Sequence, residues 1–137
     1  MKIYFAASIR GGRDDQRIYA DIIKLLRVHG DVLTEHFGAA GLNSIKGTGS
    51  AVRDIYEQDM TWIREADVIV AEVTQPSLGV GYEIGRAEEM GKKILCLYRP
   101  QSERTLSAMI AGNSELTVRE YKNINDIPSL LSDFFSN

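Results

Sequence analysis

Short apolar runs rich in β-branched residues alternate along the chain with segments in which apolar residues recur at helical spacing. The runs have the length and composition of buried strands, and they cover residues 2–8, 31–36, 67–73, 93–99 and 117–121. The intervening periodicity predicts helices, one between the first two strands and others near residues 51–66, 79–90, 103–111 and 126–135. Strands and helices in alternation favour a parallel sheet covered on both faces. We therefore predict a doubly wound α/β fold of flavodoxin or Rossmann type, with a five-stranded, mostly parallel sheet flanked by helices.

The length and composition fit a single domain over residues 1–137, since 44% of the residues are hydrophobic and the charges are mixed. The net charge of −3 argues against a protein that binds the DNA backbone, because such proteins usually present a basic surface. Cys96 stands alone and cannot form an internal disulfide, and the N-terminal apolar run is too short for a signal peptide or a membrane span. We expect a cytoplasmic protein, or a nuclear one in a eukaryote, that binds neither nucleic acid nor a membrane.

The segments that follow the strands are the expected place for a ligand, because doubly wound sheets bind ligands beyond the carboxyl ends of their strands. Residues 8–15, 74–83 and 99–104 combine serines or glycines with an arginine or a helix start, which suits a phosphate group. The glycine spacing matches neither the dinucleotide fingerprint nor the P-loop. The stretch 37–50, rich in glycine and serine, is typical of a loop.

The histidines and the cysteine do not form a metal-binding pattern. His29, His36 and Cys96 have no credible ligand spacing, so we predict neither a metal nor a cofactor. His36 ends the second predicted strand at the ligand edge of the sheet, which makes it a candidate for contact with substrate.

Asp59 interrupts the apolar face of the helix predicted near residues 51–66. Ile55, Trp62 and Ile63 lie on the same face at helical spacing. A carboxylate in that position is costly unless it is hydrogen-bonded, has a raised pKa or faces a cleft. A helix rotated so that Asp59 reaches solvent at its edge would also explain the pattern.

Glu83 raises the same question on the next helix, near apolar Val80 and Ala87. Ser77 can cap this helix, and Gly79 allows the backbone to come close to a ligand. A glutamate near a helix start is often there only because the helix dipole favours it. That explanation accounts for the charge but not for the glycine and the apolar neighbours.

Two carboxylates in apolar surroundings beside a phosphate-binding edge suggest glycosyl chemistry. In that chemistry one carboxylate attacks the anomeric carbon while a second group assists the leaving group. Tyr4, in the first strand, is a plausible partner for a carboxylate nucleophile because a buried phenol normally needs a hydrogen-bond partner. An ordinary core tyrosine would fit the same pattern.

Four segments of the chain carry a resemblance to a known family: "YFAASIRGGRDDQ", "VLTEH", "EQDMTWIREADVIVAEVTQPSLGVGYEIGRA" and "ILCLYRPQSERTLSAMIAG". They resemble the 2′-deoxynucleoside 5′-phosphate N-hydrolases, which are close relatives of the nucleoside 2-deoxyribosyltransferases. The resemblance implies cleavage of the N-glycosidic bond of a deoxynucleoside monophosphate, with release of the free base and 2-deoxyribose 5-phosphate.

The same resemblance implies a role for individual residues. By position, Glu83 matches the nucleophile, Asp59 the acidic residue that assists the base and sugar, and Tyr4 the tyrosine that orients the nucleophile. The residues that fall where the family holds the 5′-phosphate are Ser8, Ile9, Arg10, Gly11, Ser77 and Gly79. Ser107 matches a serine that reaches the phosphate in the neighbouring subunit's site, which implies a homodimer with shared active sites.

Three other functions are compatible with the residues. A ribonucleotide N-glycosidase would act on CMP or a modified CMP, and a nucleoside deoxyribosyltransferase of the same fold would pass the sugar to a second base. A non-catalytic module would bind the nucleotide without cleaving it. The phosphate-binding residues favour the monophosphate hydrolase over the transferase.

Overall fold

The strands predicted from the apolar runs form one sheet in the computed structural model, which describes residues 1–10, 12–34 and 49–137. The strands are β1 (Lys2–Ala7), β2 (Asp31–Leu33), β3 (Val68–Glu72), β4 (Lys93–Tyr98) and β5 (Thr117–Glu120). Their order is β2-β1-β3-β4-β5, and every pairing between them is parallel. This is the flavodoxin-type order. The predicted fold is confirmed, with all of these strand pairings parallel rather than most of them.

Helices cover both faces of this sheet. They are α1 (Arg13–Leu26), α2 (Gly49–Glu65), α3 (Leu78–Glu89), α4 (Ala108–Ala111) and α5 (Ile127–Ser136), with a 3₁₀ turn at Ile124–Asp126. Side chains alternate across a strand, so neighbouring residues of β1 enter different cores. Phe5 packs in the core with α1 and α5, whereas Tyr4 packs in the core with α2 and α3. Asp59 and Glu83 therefore come from helices on the Tyr4 face.

Most predicted boundaries differ from the observed ones by one or two residues. Two elements differ by more, and the structure gives a reason for one of them. Strand β2 ends at Leu33 rather than at residue 36, and residues 35 and 36 lie outside the described part of the chain. The helix predicted over 103–111 is reduced to Ala108–Ala111. A β-bridge joins Gln101 to Arg104, and the Arg104 carbonyl accepts a hydrogen bond of 3.2 Å from the Tyr98 hydroxyl. These contacts occupy the backbone that a longer helix would need.

The predicted loop at residues 37–50 lies outside the described residues except for its last two, which begin α2. Within the part of the chain that the structure describes, no helix is both long and apolar enough to cross a membrane.

Candidate active site

A cavity of about 670 Å³ opens where β1 and β3 end, between α2 and the start of α3. Its walls combine residues of β1 and the turn that follows, one face of α2, and the first turns of α3. The residues around it are Tyr4, Phe5, Ala6, Ala7, Ser8, Ile9, Arg10, Thr34, Val52, Ile55, Tyr56, Asp59, Met60, Pro76, Ser77, Leu78, Gly79, Val80, Tyr82 and Glu83. The cavity thus lies at the carboxyl edge of the sheet, where the doubly wound topology predicts a ligand.

Tyr4 and Glu83 meet inside this cavity. Tyr4 is 3% exposed, and its hydroxyl donates a hydrogen bond to the Oε2 atom of Glu83. The two residues are 79 positions apart in the chain, so the contact depends on the packing of α3 against β1. A phenol that donates to one carboxylate oxygen fixes the orientation of the carboxylate, and Glu83 is half-buried. This arrangement suits a carboxylate that must present its other oxygen to a bound substrate.

Asp59 contributes a second carboxylate to the same cavity, from the face of α2 that also carries Ile55 and Met60. Its Oδ1 atom is shielded from solvent although the residue as a whole is half-buried. A helix rotated to send Asp59 into solvent, the alternative that the sequence allowed, is therefore not the arrangement in the structure. Glu83 and Asp59 reach one cavity from two different helices.

The end of the cavity nearest the start of α3 is suited to an anion. Ser77 caps α3 as predicted, and its Oγ atom accepts a hydrogen bond of 3.2 Å from the Val80 amide. Ser8 is buried after β1, and its Oγ atom accepts from the Arg10 amide at 3.4 Å. No acidic residue occupies the first turn of α3. A helix start without negative charge, beside a serine and an arginine from a second turn, is a typical phosphate-binding arrangement.

The structure brings most, but not all, of the predicted site residues together. Tyr4, Ser8, Ile9, Arg10, Asp59, Ser77, Gly79 and Glu83 all line the cavity. Ser107 does not line it; its Oγ atom caps α4 by accepting a hydrogen bond of 3.2 Å from the Met109 amide, and the residue is exposed. Gly11 and His36 lie outside the described residues, so their predicted contacts with substrate stay predictions.

Two tyrosines at the cavity wall were missed by the sequence reasoning. The hydroxyls of Tyr56 and Tyr82 are 3.3 Å apart, and Arg86 donates a hydrogen bond of 3.2 Å to Tyr56. Hydrogen bonds from Tyr82 and Arg86 lower the pKa of the Tyr56 phenol. Tyr82 directly precedes Glu83 in the chain, and that position next to a candidate nucleophile was the available signal.

A third carboxylate, Glu72, was also missed, although it ends a strand that is otherwise apolar. It is 1% exposed, and its burial raises the pKa of the carboxyl, an effect that hydrogen bonds from Tyr121 and Thr74 partly offset. Glu72 does not line the cavity. Among the described residues, no group of three histidines, cysteines or acids is placed to hold a metal ion.

Comparison with known proteins gives one family and several close relatives. Residues 3–122 match the family model described as nucleoside 2-deoxyribosyltransferase. A 5-hydroxymethyl-dUMP N-hydrolase of Tetraodon nigroviridis is 51% identical over an alignment of 144 residues, which covers 100% of this chain and 99% of that protein. A 5-hydroxymethyl-dUMP N-hydrolase of Rattus norvegicus is 53% identical over 138 residues, or 97% of this chain and 83% of the rat protein.

Solved structures agree on the fold. A 2-deoxyribosyltransferase from Bacillus psychrosaccharolyticus is similar with a TM-score of 0.69 and 16% sequence identity. The similarity covers 93% of this chain and 90% of that chain. At this level of identity the similarity supports the doubly wound architecture alone.

Proposed function

Because the chain belongs to the nucleoside 2-deoxyribosyltransferase family, as the segments quoted from its sequence predicted, we propose that it is an N-hydrolase of 2′-deoxynucleoside 5′-monophosphates. It cleaves the N-glycosidic bond and releases the free base and 2-deoxyribose 5-phosphate. The observation that carries this proposal is the Tyr4–Glu83 hydrogen bond within a cavity that also holds Asp59. The names of the relatives make 5-hydroxymethyl-dUMP the first substrate to test.

The proposed reaction takes two steps at the anomeric carbon of the sugar. A carboxylate oxygen of Glu83 forms a bond to C1′, the C1′–N bond breaks, and its electron pair leaves with the base, which gains a proton. Asp59, or a water that it holds, supplies that proton. A water oxygen then bonds to C1′, and its proton passes to the group that protonated the base, which restores that group. The bond between C1′ and Glu83 breaks and frees the carboxylate. The net change is the addition of one water across the glycosidic bond.

The 5′-phosphate holds the substrate in register for this attack. In our proposal Ser8, Ile9, Arg10 and Gly11, together with Ser77 and Gly79 at the start of α3, bind the phosphate, which places C1′ beside Glu83. Tyr4 orients the nucleophile, and its position beside the sugar gives it a second role in excluding a 2′-hydroxyl. A ribonucleotide would then bind poorly or out of register.

A product assay tests the function directly. Purified protein is incubated with 5-hydroxymethyl-dUMP, dUMP, dGMP, dAMP, dCMP and dTMP beside GMP and CMP, and the free base is measured by chromatography. We expect base release from deoxynucleotides and none from the ribonucleotides. Release from CMP would instead indicate a ribonucleotide glycosidase, and binding without release would indicate a sensor. A second free base added to the reaction distinguishes a transferase, because only a transferase converts it into a new nucleotide.

We also propose a homodimer in which Ser107 of one subunit reaches the phosphate in its partner's site. Ser107 is exposed and outside its own cavity. Met109, two residues after Ser107, is 80% exposed, and Leu78, which lines the cavity at the start of α3, is 97% exposed. Large apolar side chains in solvent, at the cavity and next to the predicted contact residue, support a surface that a second copy covers.

Mixing an impaired variant with an inactive one tests this arrangement. We expect Ser107→Ala to lower kcat/KM several-fold and Glu83→Gln to remove activity. When the two variants are mixed and allowed to exchange subunits, one site of each mixed dimer regains both residues, so activity rises above that of either variant alone. Ser129→Ala, at an exposed serine of α5, is the matched control and should leave activity unchanged. A fully active monomer in sedimentation, or no gain on mixing, would contradict the shared site.

A further inference from the structure

A second polar cluster lies on the face of the sheet opposite the cavity, among residues that the proposed mechanism does not use. Glu72 is at its centre, and its neighbours on the adjoining strands are Ala7 and Leu97, which belong to the core packed against α1 and α5. We call this set the anchor cluster; it consists of Asp15, Glu72, Thr74, Gln75, Arg99 and Tyr121.

The buried Glu72 carboxylate is satisfied by three donors. The Thr74 amide donates to Oε1 at 2.7 Å, the Thr74 hydroxyl donates to Oε2 at 2.8 Å, and the Tyr121 hydroxyl also donates to Oε2. Burying a carboxylate is costly unless such donors are present. Two of the three donors belong to a single residue, so Glu72 fixes both the backbone and the side chain of Thr74.

Thr74 also joins two strand ends. Its hydroxyl oxygen accepts a hydrogen bond of 2.9 Å from the Arg99 amide, directly after β4. Thr74 is 3% exposed, so water does not compete for these contacts. The chain that leaves Thr74 reaches Ser77, the cap of α3, after only two more residues.

The next residue links this segment to the other phosphate-binding turn. The side-chain Nε2 atom of Gln75 donates to Oδ2 of Asp15 at 3.2 Å, and the Arg99 guanidinium donates to Oδ1 of the same carboxylate at 2.8 Å. Asp15 is in the first turn of α1, which begins just after the turn that carries Ser8 and Arg10. The segment that follows β3 is therefore linked to the start of α1, next to the turn that carries Ser8 and Arg10.

We propose that Thr74, held by Glu72, is a positioning residue that fixes the 74–79 segment and so sets the preference for a 5′-phosphorylated substrate over the free nucleoside. This inference rests on the proposed function. The start of α3 binds a phosphate well only if its amides and Ser77 keep their position relative to the 8–10 turn, because displacements below 1 Å weaken such contacts. Thr74 does not touch substrate, and it acts through the segment that does.

Thr74→Val tests the proposal, since valine keeps the shape of threonine and removes the hydroxyl. We expect kcat/KM for 5-hydroxymethyl-dUMP to fall about tenfold, while kcat/KM for 5-hydroxymethyl-deoxyuridine, which lacks the phosphate, changes by less than about twofold. Thr74→Ser restores the hydroxyl and should return the ratio of the two substrates to that of the wild type.

Tyr121→Phe is the matched control because it removes one donor from the same carboxylate without touching Thr74. We expect it to lower the thermal unfolding midpoint and to leave the substrate ratio unchanged. The proposal would be overturned if Tyr121→Phe and Thr74→Val lowered the ratio of kcat/KM for the monophosphate to kcat/KM for the nucleoside by the same factor. The cluster would then act only through general stability. The proposal would also be overturned if Thr74→Val lost activity on both substrates in parallel.

Binding separates this inference from the proposed function. If the wild-type protein cleaves no deoxynucleotide, the proposed function fails, and calorimetry on the same variants still compares the affinity for the monophosphate with that for the nucleoside. A loss of monophosphate affinity confined to Thr74→Val would then support the positioning role without catalysis. Unchanged monophosphate affinity in a folded Thr74→Val protein would overturn it.

Discussion

Replacing Glu83 by glutamine should lower kcat for deoxynucleoside monophosphate cleavage by at least about 10³-fold. The amide keeps the size of the side chain and can still accept a hydrogen bond from Tyr4, but its oxygen is too weak a nucleophile to attack C1′. The affinity for the monophosphate should change little, because the residues that we propose to bind the phosphate do not include this side chain. Rapid-quench kinetics and calorimetry on the purified variant measure both quantities.

Glu89→Gln is the matched control for this variant. Glu89 is the last residue of the same helix and is exposed, so its loss changes the charge of α3 by the same amount without entering the cavity. We expect it to retain the full rate. A Glu83→Gln protein that cleaves substrate at the rate of Glu89→Gln would remove Glu83 from the mechanism.

The proposed covalent bond between Glu83 and C1′ can be tested separately. If Glu83 forms a bond to C1′, wild-type protein quenched during turnover should contain a peptide that includes Glu83 and carries the mass of a deoxyribosyl phosphate, and Glu83→Gln should not. A direct attack by water, with Glu83 acting only as a base, would give no such adduct. Mass spectrometry of the quenched protein decides between the two.

The fold could be predicted from the chain because its signals are local. Buried parallel strands need continuous apolar runs. Strands β1 and β4 have such runs after their first residue, and β3 has one up to Glu72, its last residue. Helices α1 and α2 show the spacing of a one-sided apolar face. The order of these elements leaves few ways to cover a parallel sheet, since right-handed crossovers restrict the topology.

The site could be predicted in part, for a similar reason. Tyr4, Asp59 and Glu83 each break a local rule, a polar group where an apolar one is expected, and such conflicts often mark function. Tyr56 breaks no such rule, whereas Glu72, a carboxylate at the end of an otherwise apolar strand, does break it and was still missed. Tyr56 contacts Tyr82, 26 positions away, and Glu72 contacts Tyr121, 49 positions away. Spacing along the chain carries no information about these contacts.

The error at residues 103–111 has a different origin. The sequence contains residues compatible with a helix there. However, the Tyr98 hydroxyl donates a hydrogen bond to the Arg104 carbonyl, and Ser107 caps a helix that begins only at Ala108. Tertiary hydrogen bonds thus override local propensity over a few residues. A short α4 leaves Ser107 exposed, which the proposed contact with a partner subunit requires.

Asp59→Asn should lower kcat by about 10²–10³-fold if Asp59 assists departure of the base, the range typical of lost general acid catalysis. Asparagine occupies the same volume in the cavity and can hold a hydrogen bond, but it cannot deliver a proton. Asp54→Asn, at an exposed position of the same helix, is the matched control and should keep the wild-type rate. Steady-state kinetics with 5-hydroxymethyl-dUMP and dUMP give the size of the effect.

Substrates that differ only in the base distinguish two roles for Asp59, delivery of a proton to the base and binding of the sugar. Fluorine at C5 withdraws electrons and stabilises the departing base, so 5-fluoro-dUMP needs less help from an acid than dUMP does. If Asp59 or a water that it holds protonates the base, the loss caused by Asp59→Asn should be smaller for 5-fluoro-dUMP than for dUMP. An equal loss on both substrates would mean that Asp59 acts on the sugar alone. In that case the proton would have to come from another group at the cavity. Glu83 would attack C1′ and Asp59 would bind the sugar, and neither carboxylate would assist departure of the base.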